Sequence, residues 1–120
     1  MQFPKEERLT SQKIIKELFS KGKAQFLYPL RVVYLLKTAP SADFPQVLFS
    51  IPKKNFKKAT DRNWIRRRMR EVYRLHKKDL VDENGEIKVA SIGFIYIAKE
   101  KIPYFELKKK ILPIFQRLKE

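Results

Sequence analysis

Apolar and polar residues recur along this chain with two different periods, and the switches between them mark out its elements. Between Thr10 and Gly22 the apolar positions form two i,i+4 pairs, Ile14 with Leu18 and Ile15 with Phe19, which is helical spacing. Thr10 suits the N-cap, Leu9 and Ile14 make a hydrophobic staple across it, and Gly22 suits the C′ position. That double stripe is broader than one packing seam requires. Either all four residues enter the core or one pair is left to line a groove. From Phe26 to Lys37 the residues are β-branched and aromatic, and Pro29 splits a short strand from a longer one. Alternation puts Val32, Tyr34 and Leu36 on one face of the longer strand, Val33 and Leu35 on the other.

A loop is expected over Thr38 to Pro45, then a strand from Val47 to Ile51 that Pro52 ends. From about Ala59 the helical period returns, with Ile65, Met69, Val72 and Tyr73 on one face. A polar loop is expected from Asp79 to Ser91 around Asn84-Gly85, then a nearly continuous apolar strand, Ile92 to Ala98, whose composition suits a central position. Pro103 opens a last helix with Tyr104, Leu107, Ile111, Phe115 and Leu118 on its apolar face and a kink expected at Pro113. The order α-β-β-β-α-β-α predicts an α+β fold, a two-layer sandwich of one domain spanning residues 1–120.

Charge changes the picture most between Lys53 and Lys78. That stretch holds twelve of the chain's 28 cations against two acids, Asp61 and Glu71, and so most of the net charge of +15. Asn63, Arg66, Arg67, Arg70 and Arg74 fall opposite the apolar face of the helix. A solvated helix interleaves acids and bases at i,i+4, because like charges there repel; here Arg66, Arg70 and Arg74 succeed one another unrelieved. Arginine's planar fork suits phosphate, so the surface reads as one for a nucleic acid.

Candidate chemistry is sparse. There is no cysteine, which excludes disulfides and thiolate catalysis, and a single histidine, His76, which reads as structural. The acids Asp79, Asp82, Glu83 and Glu86 lack the alternate spacing of a calcium loop. No apolar run reaches the ~20 residues that cross a bilayer, and Met1 to Glu7 lacks the apolar core of a secretory signal, so a cytoplasmic protein with no membrane partner is expected. The residues predict binding rather than catalysis.

The basic stretch resembles the protein subunit of bacterial ribonuclease P. It has the family's Lys-Lys pair (Lys53-Lys54), its Arg-Asn dipeptide (Arg62-Asn63) and its spaced cations on a helix (Arg66, Arg67, Arg70). The likeness extends to Arg8-Leu9 and the first helix, to Val32-Val33-Tyr34, to Ile95-Tyr96-Ile97-Ala98-Lys99 and to the aromatic-led last helix. Two positions depart from the pattern. Trp64 stands where the family usually has a second arginine, offering an indole that can stack on a base instead, and Ile15 with Phe19 replaces a pair of aromatics.

The resemblance implies a four-stranded sheet with a left-handed β-α-β crossover around the basic helix, where handedness rules alone predict the opposite. It implies a ribonucleoprotein that removes the 5′ leader of precursor tRNA, its RNA subunit being the catalyst. Mg2+ would be held mainly by that RNA and the substrate. The catalytic ribonuclease P RNA would contact Lys53, Lys54, Arg62, Asn63, Arg66, Arg67, Arg70 and Arg74. The leader of precursor tRNA would lie in a groove of Ile15, Phe19, Val32 and Tyr34, and no protein partner is required. Charge and size alone also allow a ribosomal or other structural RNA-binding protein. A DNA-binding helix lacks a partner at helix-turn-helix spacing, and a nuclease acting without RNA lacks the carboxylates.

Overall fold

The computed structural model describes residues 7–119, so residues 1–6 of the lead-in, read as lacking a signal, lie outside the described residues. The elements are α1 (Gln12–Lys21), β1 (Lys23–Leu27), β2 (Leu30–Ser41), β3 (Gln46–Ser50), α2 (Ala59–His76), β4 (Ile87–Tyr96) and α3 (Tyr104–Lys119), with a 3₁₀ turn, Lys77–Leu80, closing α2. The sheet order is β1-β2-β4-β3. β1 and β2 form a hairpin around a cis Tyr28–Pro29 peptide, β2 and β4 are antiparallel, and β3 and β4 are parallel, joined by the crossover that contains α2. β4 is therefore central, as its apolar run suggests. It begins at Ile87, inside the stretch expected to be loop: Ile87 and Val89 are buried and their neighbours Lys88 and Ala90 are only partly so, an alternation that the surrounding acids obscured. β2 likewise runs on to Ser41 through two register shifts, past the point where turn residues suggested a loop.

The main core lies between the sheet and the pair α2 and α3. Leu30 and Val32 of β2, Val47 and Phe49 of β3, and Ile92, Phe94 and Tyr96 of β4 meet Ile65, Met69, Val72 and Tyr73 of α2 and Leu107, Ile111, Ile114 and Phe115 of α3. At its centre Tyr73 sits edge-on to three rings, Phe49 at 6.2 Å, Phe94 at 6.2 Å and Phe115 at 5.9 Å, in the geometry that aromatic quadrupoles favour. α3 continues through Pro113, which lies on its exposed side.

α1 covers part of the opposite face of the sheet with a smaller cluster, Leu9, Leu18 and Val33, flanked by Ile14, Ile15, Leu35, Leu48 and Ile95. Its N-cap is Ser11, whose Oγ accepts from the Ile14 amide at 3.3 Å, one residue later than Thr10. Gly22 ends it for a different reason from the left-handed C′ turn expected. Its φ is −68°, and a Cβ there would lie 2.3 Å from the Leu18 carbonyl oxygen and 3.1 Å from that of Tyr34. Gly93 does the same for the sheet, since a Cβ there would meet Val33 and Leu18 side chains at 3.0 and 3.2 Å. Close approach, not positive φ, explains both glycines. The edge of β3 is covered by the approach to α1: Arg8 bridges Val47, and the Leu9 amide donates to the Val47 carbonyl at 3.0 Å.

Leu18 is fully buried. Leu18→Ala should therefore cost about 2–5 kcal/mol in urea unfolding, and Gly22→Ala about 1–3 kcal/mol through its clash with the Leu18 carbonyl. Wild-type unfolding midpoints for both would mean that α1 is not docked on the sheet in this way.

Candidate nucleic-acid interface

α2 carries its cations on flanks set by the helical period. Ile65, Met69, Val72 and Tyr73 are buried, which fixes the rotation of the helix and hence the direction of every other side chain. One flank holds Asn63, Arg66, Arg67 and Arg70. Both acids lie on the other, Asp61 and Glu71, with Trp64 and Arg68 between them. Each acid is consumed within the fold. Lys101 bonds Asp61 at 2.8 Å and holds its carboxyl below the usual range, and Arg74 grips Glu71 with two bonds, 2.6 and 3.2 Å, with the same effect.

The acid-free flank faces the edge of β3. There a cleft of about 220 Å3 is lined by Arg8, Thr10, Leu48, Arg66 and Arg70 among others. Burial, then the guanidiniums of Arg66 and Arg8, depress the pKa of Arg70, which still keeps its charge at neutral pH. Cations crowded this way are relieved by an anion. Asn63 is exposed and its Oδ1 accepts from Arg66 Nη1 at 2.8 Å, which orients that guanidinium. Arg67 is exposed, and Lys53 and Lys54 stand exposed on the turn that leads from β3 to α2.

Arg62 and Arg74, read as RNA contacts, are occupied otherwise. Arg62 Nη1 donates to the carbonyls of Phe56 and Lys57 at 2.8 and 2.9 Å, pinning the loop before α2, and Arg74 is paired with Glu71. Trp64 does not offer a bare ring. The Arg68 guanidinium lies 3.5 Å from its ring centroid and bonds its carbonyl at 3.0 Å, and Lys101 approaches at 5.3 Å.

The groove set of Ile15, Phe19, Val32 and Tyr34 is not brought together. Ile15 and Phe19 share the outer stripe of α1, beside a depression of about 590 Å3 that Gln12 and Lys16 also line. Val32 is fully buried in the main core and Tyr34 packs against that core, both on the face turned away from α1. The alternation within β2 is as expected, but which set faces α1 is reversed: a strand's period of two sends Val33 and Leu35 there instead. The missed signal was Arg31, which shares their parity; a charge in that set marks its face as the partly open one.

Cross-strand register completes the surface. Phe26 pairs with Arg31, Arg31 with Ile95 and Ile95 with Ser50, a row across all four strands on the α1 side. The next row, with Val33 and Gly93, is buried under Leu18, whereas Arg31 is exposed and Ile95 and Ser50 are half-buried. α1 thus leaves a floor of sheet open beside its Ile15/Phe19 stripe.

Among the described residues no three His, Asp or Glu side chains gather as metal ligands, and no helix is long and apolar enough to cross a membrane. The acidic loop is organised by its own backbone: Asp82 Oδ1 accepts from the amides of Asn84 and Glu86, both at 2.9 Å.

The family model described as Ribonuclease P matches residues 3–119. A ribonuclease P protein component from Porphyromonas gingivalis is 41% identical over 97 residues, covering 80% of this chain and 71% of that one. One from Dictyoglomus turgidum is 31% identical over 115 residues, covering 96% and 91%. In fold, the ribonuclease P protein from Thermotoga maritima superposes with a TM-score of 0.76 at 23% identity, covering 95% and 99% of the two chains. That from Staphylococcus aureus gives 0.72 at 20% identity, covering 93% and 97%. An arginine flank free of acids, on a sheet of this topology and in a chain matched almost end to end, places the protein in the ribonuclease P protein family.

Proposed function

We propose that the acid-free flank of α2 docks the ribonuclease P RNA while the open sheet beside α1 holds the 5′ leader of precursor tRNA. Family membership makes the chain the protein component of an RNA-based endoribonuclease of tRNA 5′ processing, with ribonuclease P RNA as its partner. The observation that carries the finer reading is the convergence of Arg8, Arg66 and Arg70 at the β3 edge, next to a sheet floor that α1 leaves uncovered. Two RNAs brought together repel, and a small protein of net charge +15 offsets part of that repulsion by displacing counterions. The protein then lowers the Mg2+ requirement of a reaction whose metal ions are held by the RNA and the substrate, in the cytoplasm and with no further protein partner required. Within the groove Ile15 and Phe19 form the wall, with Ile95 and Ser50 as the floor. Bases stack on Phe19 and phosphates meet Lys16, a mode with little base specificity.

Nuclease-clean protein alone should cut no precursor tRNA at any Mg2+ concentration. Mixed with a bacterial ribonuclease P RNA, it should allow leader removal at Mg2+ levels where the RNA alone is slow. Cleavage by the RNA-free protein, or no shift in the Mg2+ requirement, overturns the reading.

The two kinds of arginine should separate cleanly. Arg67→Ala should flatten the salt dependence of holoenzyme assembly by about one phosphate contact while moving stability by less than ~0.5 kcal/mol. Arg62→Ala should cost about 1–3 kcal/mol in unfolding by orphaning two carbonyls of the loop before α2. The same effect for both in either assay would remove the distinction.

Phe19→Ala should weaken precursor tRNA relative to mature tRNA by roughly ten-fold, since a stacked base is worth ~1–3 kcal/mol and ~1.4 kcal/mol is a factor of ten. With Phe19 about half exposed at 46%, the unfolding midpoint should hardly change. A destabilised protein with intact precursor preference would return Phe19 to the core.

A further inference from the structure

The free edge of the sheet carries an aromatic that neither the core nor the groove beside α1 uses. Phe26 is 68% exposed on β1, which among the described residues pairs only with β2. A single exposed apolar residue is ordinary, but an edge strand is where one is most hazardous, and edges are usually guarded by charge. Three observations set this residue apart. Its register partner Arg31 is exposed and has no side-chain hydrogen bond or ion pair among the described residues, so a ring and an uncommitted guanidinium stand side by side. Both belong to the open row Ser50–Ile95–Arg31–Phe26. The same pairing of an aromatic with a cation recurs on α1 as Phe19 with Lys16.

The row has a direction. At the β3 end it adjoins the cleft of Arg8, Arg66 and Arg70, and at the other end lies Phe26, three interstrand gaps or roughly 14 Å away. We propose that Phe26 and Arg31 form a second stacking and phosphate step at the β1 edge, over which leader nucleotides distal to the cleavage site leave the protein. The inference rests on the reading of the groove above and deepens it. The occupant is single-stranded RNA: every base offers a π-face to Phe26, and Arg31 meets the adjoining phosphate without reading sequence. An acidic peptide would satisfy Arg31 but leave the ring unused, and a hydrophobic partner would leave the guanidinium desolvated and unpaired.

The test measures holoenzyme binding to precursor tRNAs whose leaders lengthen one nucleotide at a time. With wild-type protein, affinity should rise as the leader first fills the groove and rise again when it reaches the edge. Phe26→Ala should remove the second rise, a loss of roughly five- to hundred-fold. Phe26→Trp should keep it, and Arg31→Ala should lower the salt dependence for long leaders by about one phosphate contact. Leu36→Ala, at a residue also exposed (48%) but on the opposite face of β2, should leave the length dependence unchanged. If wild-type affinity does not depend on the leader at all, the groove reading fails and this inference with it. If wild type shows both rises and Phe26→Ala keeps them, the groove stands and the edge step is overturned. A second rise retained by Phe26→Ala but lost in Leu36→Ala would equally overturn it, by placing the distal nucleotides on the other face.

Discussion

The packing of Tyr73 against Phe49, Phe94 and Phe115 is the constraint on which the interface depends. One ring from α2 is wedged among β3, β4 and α3, so the helix cannot roll without breaking three edge contacts at once. Burial, reinforced by Glu7, raises the Tyr73 phenol far above its ordinary pKa, so the ring stays neutral at any physiological pH. A second fastening acts at the end of the helix, where Lys77 bonds the buried carboxylate of Glu7 at 2.9 Å and lies over the Phe44 ring. A third holds its start, where Arg62 ties down the loop carbonyls and Asp61 is bridged to Lys101. Helical geometry does the rest. Once the apolar stripe is fixed, the directions of Arg66, Arg67 and Arg70 follow from their places in the sequence.

What could be read from the sequence and what could not divide along the same line. The buried face of α2, the central strand β4 and the split of the first hairpin at Pro29 were legible because each depends on a local period or a single residue's stereochemistry. The starts and stops that failed, Ile87 and Ser41, fail because strand pairing across the sheet extends an element beyond its own signal. The groove failed differently. Alternation in β2 yields two sets of residues but carries no information about which layer each will meet, and that choice depends on where α1 docks, a long-range matter. The resemblance then supplied an answer, Val32 and Tyr34, that this fold turns to the main core, leaving Arg31 and Ile95 open on the side of α1. Arg62 and Arg74 show a similar limit: a cation's sequence position says where it can point, while only its neighbours say whether it is already spent.

Trp64 illustrates how a departure from a family pattern can be absorbed. Position 64 carries no charge, yet Arg68 lies back along the helix across the indole, as helical side chains do, so a guanidinium still covers that place. The ring meanwhile packs against the main core, and with Lys101 it helps close the connection between β4 and α3 onto α2. A residue that suggested a ligand contact thus belongs to the fastening of the helix.

The unequal flanks of α2 have a consequence for the encounter itself. With Asp61 and Glu71 on one side and Arg66, Arg67 and Arg70 on the other, the helix has a lateral charge moment in addition to the moment along its axis. In the field of a polyanion that moment exerts a torque, which turns the molecule toward its bare arginines before any contact forms. Misoriented collisions are thereby reduced, and the surface gains a preferred approach without sequence recognition. Salt would weaken this rotational guidance along with the overall attraction, because both act across distances that counterions screen.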